Sequence, residues 1–311
     1  MLSSMLRIAG VSLVGAFTLL SVSESAAQSD RKITATFSIA AVDPATGQCG
    51  AAVASRYPAV GKVVPYVRAG VGAFCTQHWH HPPWGEKALD LLQQGKQPEA
   101  VLVELLHNDK DRNQRQLGIV DMQGRAANLN PTGASPKSRY WGSMAGRYYT
   151  CQGNTLTGRE VIVAMAQAYE ETKGSLADRL MAALVAGDCA GGDHRGRLAA
   201  GIRVARKDVD GYWLELQVEK SDDAVVELAR KYAELKHPDK GDWPGGKPPF
   251  EHPCPKRPKP VPPKPECFAK VKNSGATAGL SSSADPLGAP NHCWTSQQWH
   301  PRSLAQPQIK P

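Results

Sequence analysis

The sequence predicts an α+β fold in which antiparallel sheets pack together with helices outside them. Three observations lead there. Segments with strand-like alternation and segments with helical spacing fall in separate blocks rather than in strand-helix-strand alternation, which argues against a parallel, doubly wound sheet. The first two strand-like segments are rich in small residues (Ala40, Ala41, Gly50, Ala51, Ala52, Ala54), as expected where both faces of a sheet are closely covered. After Leu235 the texture changes: the last 76 residues hold 16 of the chain's 24 prolines, a composition unsuited to a helix or a central strand.

The elements follow in order. Ile33 to Asp43 alternates polar and apolar residues, the stretch DPATGQ supplies a turn, and Cys49 to Ser55 returns as a second strand. GKVVPYVRAGVGAFCTQ, with β-branched residues and glycine punctuation, reads as two further short strands. Helical spacing then takes over in GEKALDLLQQG and QPEAVLVELLHND, separated by Gly95, with Pro98 suited to a first helical turn. RQLGIVDMQGRAANL reads as a hairpin turning at Gln123 and Gly124, and GRYYTCQGN as a strand. Two amphipathic helices follow, GREVIVAMAQAYEETKG and SLADRLMAALVAG, the second capped by Ser175 with Asp178 three residues on. RLAAGIRVAR and GYWLELQVE are strands, and SDDAVVELARKYAEL is a helix with Ser221 as its expected N-cap.

The chain begins with the layout of a cleavable export signal. Arg7 precedes an apolar run from Ile8 to Val22, and small residues stand at Ser25 and Ala27. The expected organisation is a signal peptide over 1–27, a short segment 28–35, a folded body 36–235 and a basic, proline-rich tail 236–311. That places the mature chain in the periplasm or outside the cell, with no transmembrane span, since no second apolar run is long enough. Seven cysteines suit an oxidising compartment; their odd number leaves at least one unpaired within the chain, and the absence of a CxxC pair argues against a zinc ribbon.

The formal charge of +8 is concentrated at the end: from Lys236 onward, 11 Lys and Arg face 5 Asp and Glu. A basic tail fits an anionic envelope surface, and export makes nucleic acid an improbable partner. The tail reads either as a largely disordered linker or as a tether with local order between Cys254 and Cys267. The oligomeric state is left open.

Four stretches carry residues suited to chemistry. Thr36 is either a plain strand-former or, if it becomes the first residue, a nucleophile whose own α-amine is the base. In AGGDHRGR the glycines can turn backbone amides toward an anion, and Asp193, Arg195 and Arg197 can orient a substrate; the alternative is a polar loop with a surface ion pair. CQGN places Gln152 and Asn154 at a strand end, as donors to a substrate or to a developing oxyanion, or as turn residues, with Cys151 expected in a disulfide. CTQHWHHPPWG contains Gln77 and the histidines His78, His80 and His81; His78 and His80 would share a face on a strand and are weak metal candidates beside simple aromatic packing.

The segments TFSIAAVDPATGQCGAAVASRYPAVGKVVPYVRAGVGAFCTQ, CQGNTLTGREVIVAMAQAYE and AGGDHRGRLAAGI, spread over about Thr36 to Leu235, resemble the bacterial domain-of-unknown-function family 1028, grouped with the N-terminal-nucleophile (Ntn) hydrolases. The resemblance implies a four-layer αββα sandwich and hydrolysis of an amide bond in a small amide or peptide, with no cofactor. It places Thr36 where cytosolic members expose a threonine by losing the initiator Met, so here the chain must be trimmed between Ala35 and Thr36. Backbone amides or Asn154 are then the oxyanion donors, Gln77 and Gln152 join Asp193, Arg195 and Arg197 at the substrate, and Lys62 and Arg68 are the nearby candidates to lower the nucleophile's pKa. The sequence departs from the pattern at Ala54, where related proteases carry an aspartate before Ser-Arg, at the histidine cluster, and at His194 in place of a usual lysine. The alternative function is a non-catalytic envelope ligand-binding module on the same sandwich.

Overall fold

The computed structural model describes residues 36–235. The predicted signal peptide, the segment 28–35 and the proline-rich tail lie outside the described residues, as do Ile33 and the cysteines after Cys189.

The architecture is α+β with two antiparallel sheets. One sheet has six strands: β1 (Thr36–Asp43), β2 (Gln48–Ser55), β7 (Tyr140–Gly146), β8 (Tyr149–Leu156), β9 (Ala199–Ala205) and β10 (Leu214–Val218), in the order β10-β9-β2-β1-β8-β7. The other has four: β3 (Pro65–Arg68), β4 (Gly72–His78), β5 (Arg115–Asp121) and β6 (Ala126–Leu129), in that order. The helices are α1 (Trp84–Gln93), α2 (Pro98–Leu106), α3 (Glu160–Glu171), α4 (Leu176–Cys189) and α5 (Ala224–Glu234).

Period-2 alternation sorts the side chains among three apolar clusters. From β1, Phe37, Ile39 and Ala41 join a cluster with α3, α4 and α5, including Met165, Leu180 and Leu228. Ala40 and Val42 instead meet Val53 of β2 and Cys75 and Val120 of the four-stranded sheet. On that sheet, Phe74, Leu117 and Ile119 pack against Leu89 and Leu102 of α1 and α2. Each fully buried Phe, Ile or Leu here is worth roughly 1.5–3 kcal/mol of transfer free energy.

Local chemistry explains the boundaries. The β1–β2 turn is held by Asp43, whose carboxylate accepts from Ala45 N and Thr46 Oγ1, with Gly47 at φ 71°. Gly124, at φ 81°, makes the predicted β5–β6 turn. Ser175 and Asp178 form a complete capping box at α4.

Three expectations need correction. Ser221 does not cap α5: the helix starts at Ala224 after Asp223, and Ser221 Oγ accepts Asp223 N inside the preceding turn. The stretch GRYYTCQGN is not one strand, because Tyr148, at φ 74°, turns the chain between β7 and β8. Cys151 is a buried free thiol, like Cys49 and Cys75, so no disulfide forms there.

Candidate functional site

Thr36 opens β1, with Ser55 of β2 on one side and Asn154 of β8 on the other. It is fully buried, and its Oγ1 donates to Ser55 Oγ at 3.2 Å. Ser55 Oγ also accepts from Tyr57 N at 3.0 Å. Cross-strand neighbours on one face carry Cβ atoms roughly 4.5–5.5 Å apart, so Asn154 is within side-chain reach of Thr36.

The face between the sheets is divided. Toward the β1–β2 turn it is apolar, but toward Thr36 it is filled by hydrogen-bonded amides and hydroxyls. Gln116 Oε1 accepts from both Gln77 Nε2 and Asn154 Nδ2, each at 2.8 Å. Gln116 Nε2 donates in turn to Gly153 O at 2.8 Å and to Asn130 Oδ1 at 2.9 Å. Ser38 Oγ donates to Gln77 Oε1 and accepts from Gln152 Nε2, both at 2.6 Å. Ser38, Gln77, Gln116, Gln152 and Asn154 are completely buried. Burying so many polar groups is tolerable only when they satisfy one another, and the interlocking then fixes each amide's orientation. Gly118 makes room for the network: a Cβ there would lie 2.0 Å from Gln152 Oε1.

Asn154 is gripped from both ends. Its Nδ2 donates to Gln116, and Thr155 Oγ1 donates to its Oδ1 at 3.3 Å. Thr155 occupies the left-handed region at φ 57°, which is strained for a β-branched residue and is characteristic of positions where a site over-determines the backbone.

The glycine-rich loop after α4 crosses the end of β1. Asp193 Oδ2 accepts from Arg56 N at 3.3 Å, next to Ser55, while His194 N donates to Thr155 O at 3.1 Å, next to Asn154. Because β1 runs between β2 and β8, this loop spans the strand end at which Thr36 sits. Burial raises the Asp193 pKa, opposed by the Arg195 guanidinium beside it.

The other predicted residues are placed as follows. Gln77 and Gln152 belong to the amide network, and Gln77 Nε2 also approaches Thr36 O at 3.4 Å. Arg197 is buried in an ion pair with Asp188 at 2.7 Å and is further engaged by Asp223 at 3.3 Å, so its charge is spent inside the fold. Lys62 Nζ pairs with Glu219 at the end of β10, three strand spacings or about 14 Å from β1. Arg68 pairs with Glu86 and Asp90 and sits opposite Gly72, five residues or about 17 Å along β4 from Gln77. Neither cation is in position to tune Thr36.

His78 ends β4 at φ 63°, its Nδ1 held 2.5 Å from Gln114 O, and burial lowers its pKa. His80 is buried with its ring 6.3 Å from that of Tyr57. Among the described residues no three His, Cys, Asp or Glu side chains converge as a metal-ligand set. A cleft of about 790 Å³, lined by His81, Trp84, Lys87 and Glu104 among others, belongs to α1 and α2, on the opposite face of the four-stranded sheet from the amide network. Among the described residues no helix is long and apolar enough to cross a membrane.

Ser55, Gln116, Thr155 and Arg56 are the participants that sequence reasoning missed. Ser55 was legible in the register of the β1–β2 hairpin, which sets it opposite Thr36. Gln116 carried one local signal, a polar residue preceding the apolar run Leu117, Gly118, Ile119 and Val120; its partners come from β4 and β8 and depend on sheet packing.

A buried threonine heading a central strand, an amide lattice beside it and a glycine-rich loop across the strand end define the class: an α+β protein of two antiparallel sheets with a polar site between them. The chain belongs to the family of unknown function DUF1028, whose model matches residues 36–228. It is similar to the crystal structure of protein SPO2555 from Silicibacter pomeroyi, assigned to the same family, at 29% identity and a TM-score of 0.60, covering 68% of this chain and 91% of that one. No curated protein matches this chain.

Proposed function

We propose that the protein is an exported amide hydrolase of the Ntn type, built on a four-layer αββα sandwich, with Thr36 as nucleophile once the residues before it are removed. The observation that carries this reading is the placement of Thr36 at the start of the central strand, between Ser55 and Asn154 and under the Asp193–Arg195 loop.

The freed α-amine of Thr36 takes the Oγ1 proton as Oγ1 attacks the amide carbonyl carbon. Asn154, with one amide proton held by Gln116, offers the other to the oxyanion. The C–N bond breaks, the proton passes from the Thr36 amine to the leaving amine, and water then hydrolyses the resulting ester. Ser55 orients the hydroxyl, and Arg195 holds the substrate. The role expected of Arg197 passes to the buried ion pair, and the reading needs neither Lys62 nor Arg68, because the amine's own pKa is near neutrality. The signal-like first 27 residues support an envelope location, and the basic tail an anionic surface there.

Turnover of small peptide amides by chain beginning at Thr36, compared with Thr36→Ala, tests this. Loss of turnover in the variant, with unchanged thermal stability, is the expected result. Equal turnover in both forms overturns it.

A second reading, a ligand-holding module without catalysis, is favoured by one observation: the partner of Thr36 Oγ1 is a hydroxyl, and the cations expected to activate it are engaged by carboxylates elsewhere.

A further inference from the structure

The loop that crosses the end of β1 brings cations together around a single carboxylate that has no capacity left. Asp193 is buried, and its two oxygens already take four donors: Arg195 N at 2.9 Å and Arg195 Nε at 3.2 Å on Oδ1, Arg56 N at 3.3 Å and Arg195 Nη2 at 3.1 Å on Oδ2. That fills about the four lone-pair sites a carboxylate offers. The Arg56 guanidinium is exposed and donates to Arg195 O at 2.9 Å, a contact that neutralises no charge. His194 Nε2 lies 3.2 Å from Lys137 O, which brings the 137–139 segment and Arg139 to the same rim. Arg139 has no acidic partner among the described residues, and its backbone is held in the left-handed region at φ 55°. The field of this group is felt by His194, whose pKa is lowered by burial first and by the Arg139 charge next.

Ordinary surface arginines are scattered and matched by nearby acids. Here Arg56 reaches the Arg195 backbone, and Arg139 and Arg195 both act on His194, beside the strand end that carries Thr36; among the described residues the carboxylate of this group, Asp193, is already saturated. A planar carboxylate can be taken bidentately by guanidinium in such a place, whereas a neutral amide of the same shape cannot.

We infer that the substrate carries a carboxylate close to the amide that is cut, and that Arg56 and Arg139, beside Arg195, form the rim that selects it. The inference rests on the hydrolase reading for its placement of the scissile amide, but acid selection is measurable without turnover.

The test is a calorimetric titration of the full-length chain with N-acetylglycine and with N-acetylglycinamide, which differ only in the carboxylate beside the amide. At low salt the acid is expected to bind about tenfold or more tightly, with the preference shrinking as salt is raised. Arg56→Gln combined with Arg139→Gln should abolish the preference; Arg56→Gln alone, at an exposed position, should reduce it and guards against a folding defect in the double variant. Equal affinity for the two ligands, no measurable binding of the acid at millimolar concentration, or a preference that survives the double substitution overturns the inference. Acid selection by a chain that never exposes the Thr36 amine sinks the hydrolase reading and leaves the rim. Amide turnover without acid selection does the reverse.

Discussion

The hydroxyls of Thr36 and Ser55 face each other across the β1–β2 pair, with 3.2 Å between their oxygens. Thr36 donates to Ser55 in that bond, which directs its O–H toward β2 and leaves both lone pairs of its oxygen on the other side. Ser55→Ala should therefore leave the fold standing and slow acylation of Thr36 by about 10²-fold, the scale of losing one aligned proton partner. Single-turnover kinetics on a peptide ester and its amide check this.

Gln116 ties β4, β5 and β8 together by accepting from Gln77 and Asn154 and donating to Gly153 O and Asn130. Gln116→Leu removes the closest acceptor of two buried amide donors and leaves Gln77 Nε2 only its longer contacts to Thr36 O and Gln152 O, at 3.4 Å each. The expected cost is about 2–6 kcal/mol, at about 1–3 kcal/mol for each of the two groups, read as a lower urea midpoint at unchanged slope. A loss under about 0.5 kcal/mol would mean that the network is loose.

Arg197 and Asp188 form a buried ion pair at 2.7 Å, with side chains 5% and 4% exposed. Arg197→Met should destabilise by about 3–5 kcal/mol, because it strands the Asp188 charge. Adding Asp188→Leu should recover much of that loss in equilibrium unfolding. Were Arg197 a substrate ligand instead, the single change would alter KM and spare stability.

These results mark what the sequence could and could not convey. Strand and helix blocks were legible because the periods of Phe37, Ile39 and Ala41 and of Leu176, Leu180 and Leu184 are set by local geometry. Thr36, Asn154 and Asp193 were legible through their motifs, and the structure brings all three to one strand end. The separation of Arg197 from Arg195 was not, since two residues of loop turn one guanidinium toward Asp188 and leave the other on Asp193. Lys62 and Arg68 looked close in sequence to β2, but Lys62 pairs with Glu219 beyond the edge strand β10, and Arg68 ends β3 of the other sheet. β7 was missed because YWGSMAG is an edge strand rich in small residues and lacks a clear apolar alternation.

Burial sets a pH dependence through His78. Its pKa in the fold lies below the ordinary 6.5. Between those two values the unfolded chain binds a proton that the folded chain does not, so stability falls as pH drops through 6.5 and levels off below the folded value. His194, also lowered, adds in the same direction. Urea midpoints measured from pH 7.5 to 5 should decline, and less steeply in His78→Asn, an exchange that suits its left-handed backbone.

Three thiols are held unreactive. Burial pushes Cys49 up to about 11 and Cys75 to about 12, and raises Cys151 well above its ordinary value. Iodoacetamide at pH 8 should therefore leave these three unlabelled in native protein and label them in urea, as read by peptide mass mapping. Rapid native labelling of Cys151 would contradict its place under α3 and α4.

The central claim is tested most directly by the first residue of the working molecule. Protein recovered from the envelope of its host, treated with a peptide β-lactone and analysed by N-terminal sequencing and intact mass, should begin at Thr36 and carry one acyl group on that residue. An active, acylated chain in which the Ala35–Thr36 bond is still intact would contradict it, because no α-amine would then stand beside the attacking oxygen.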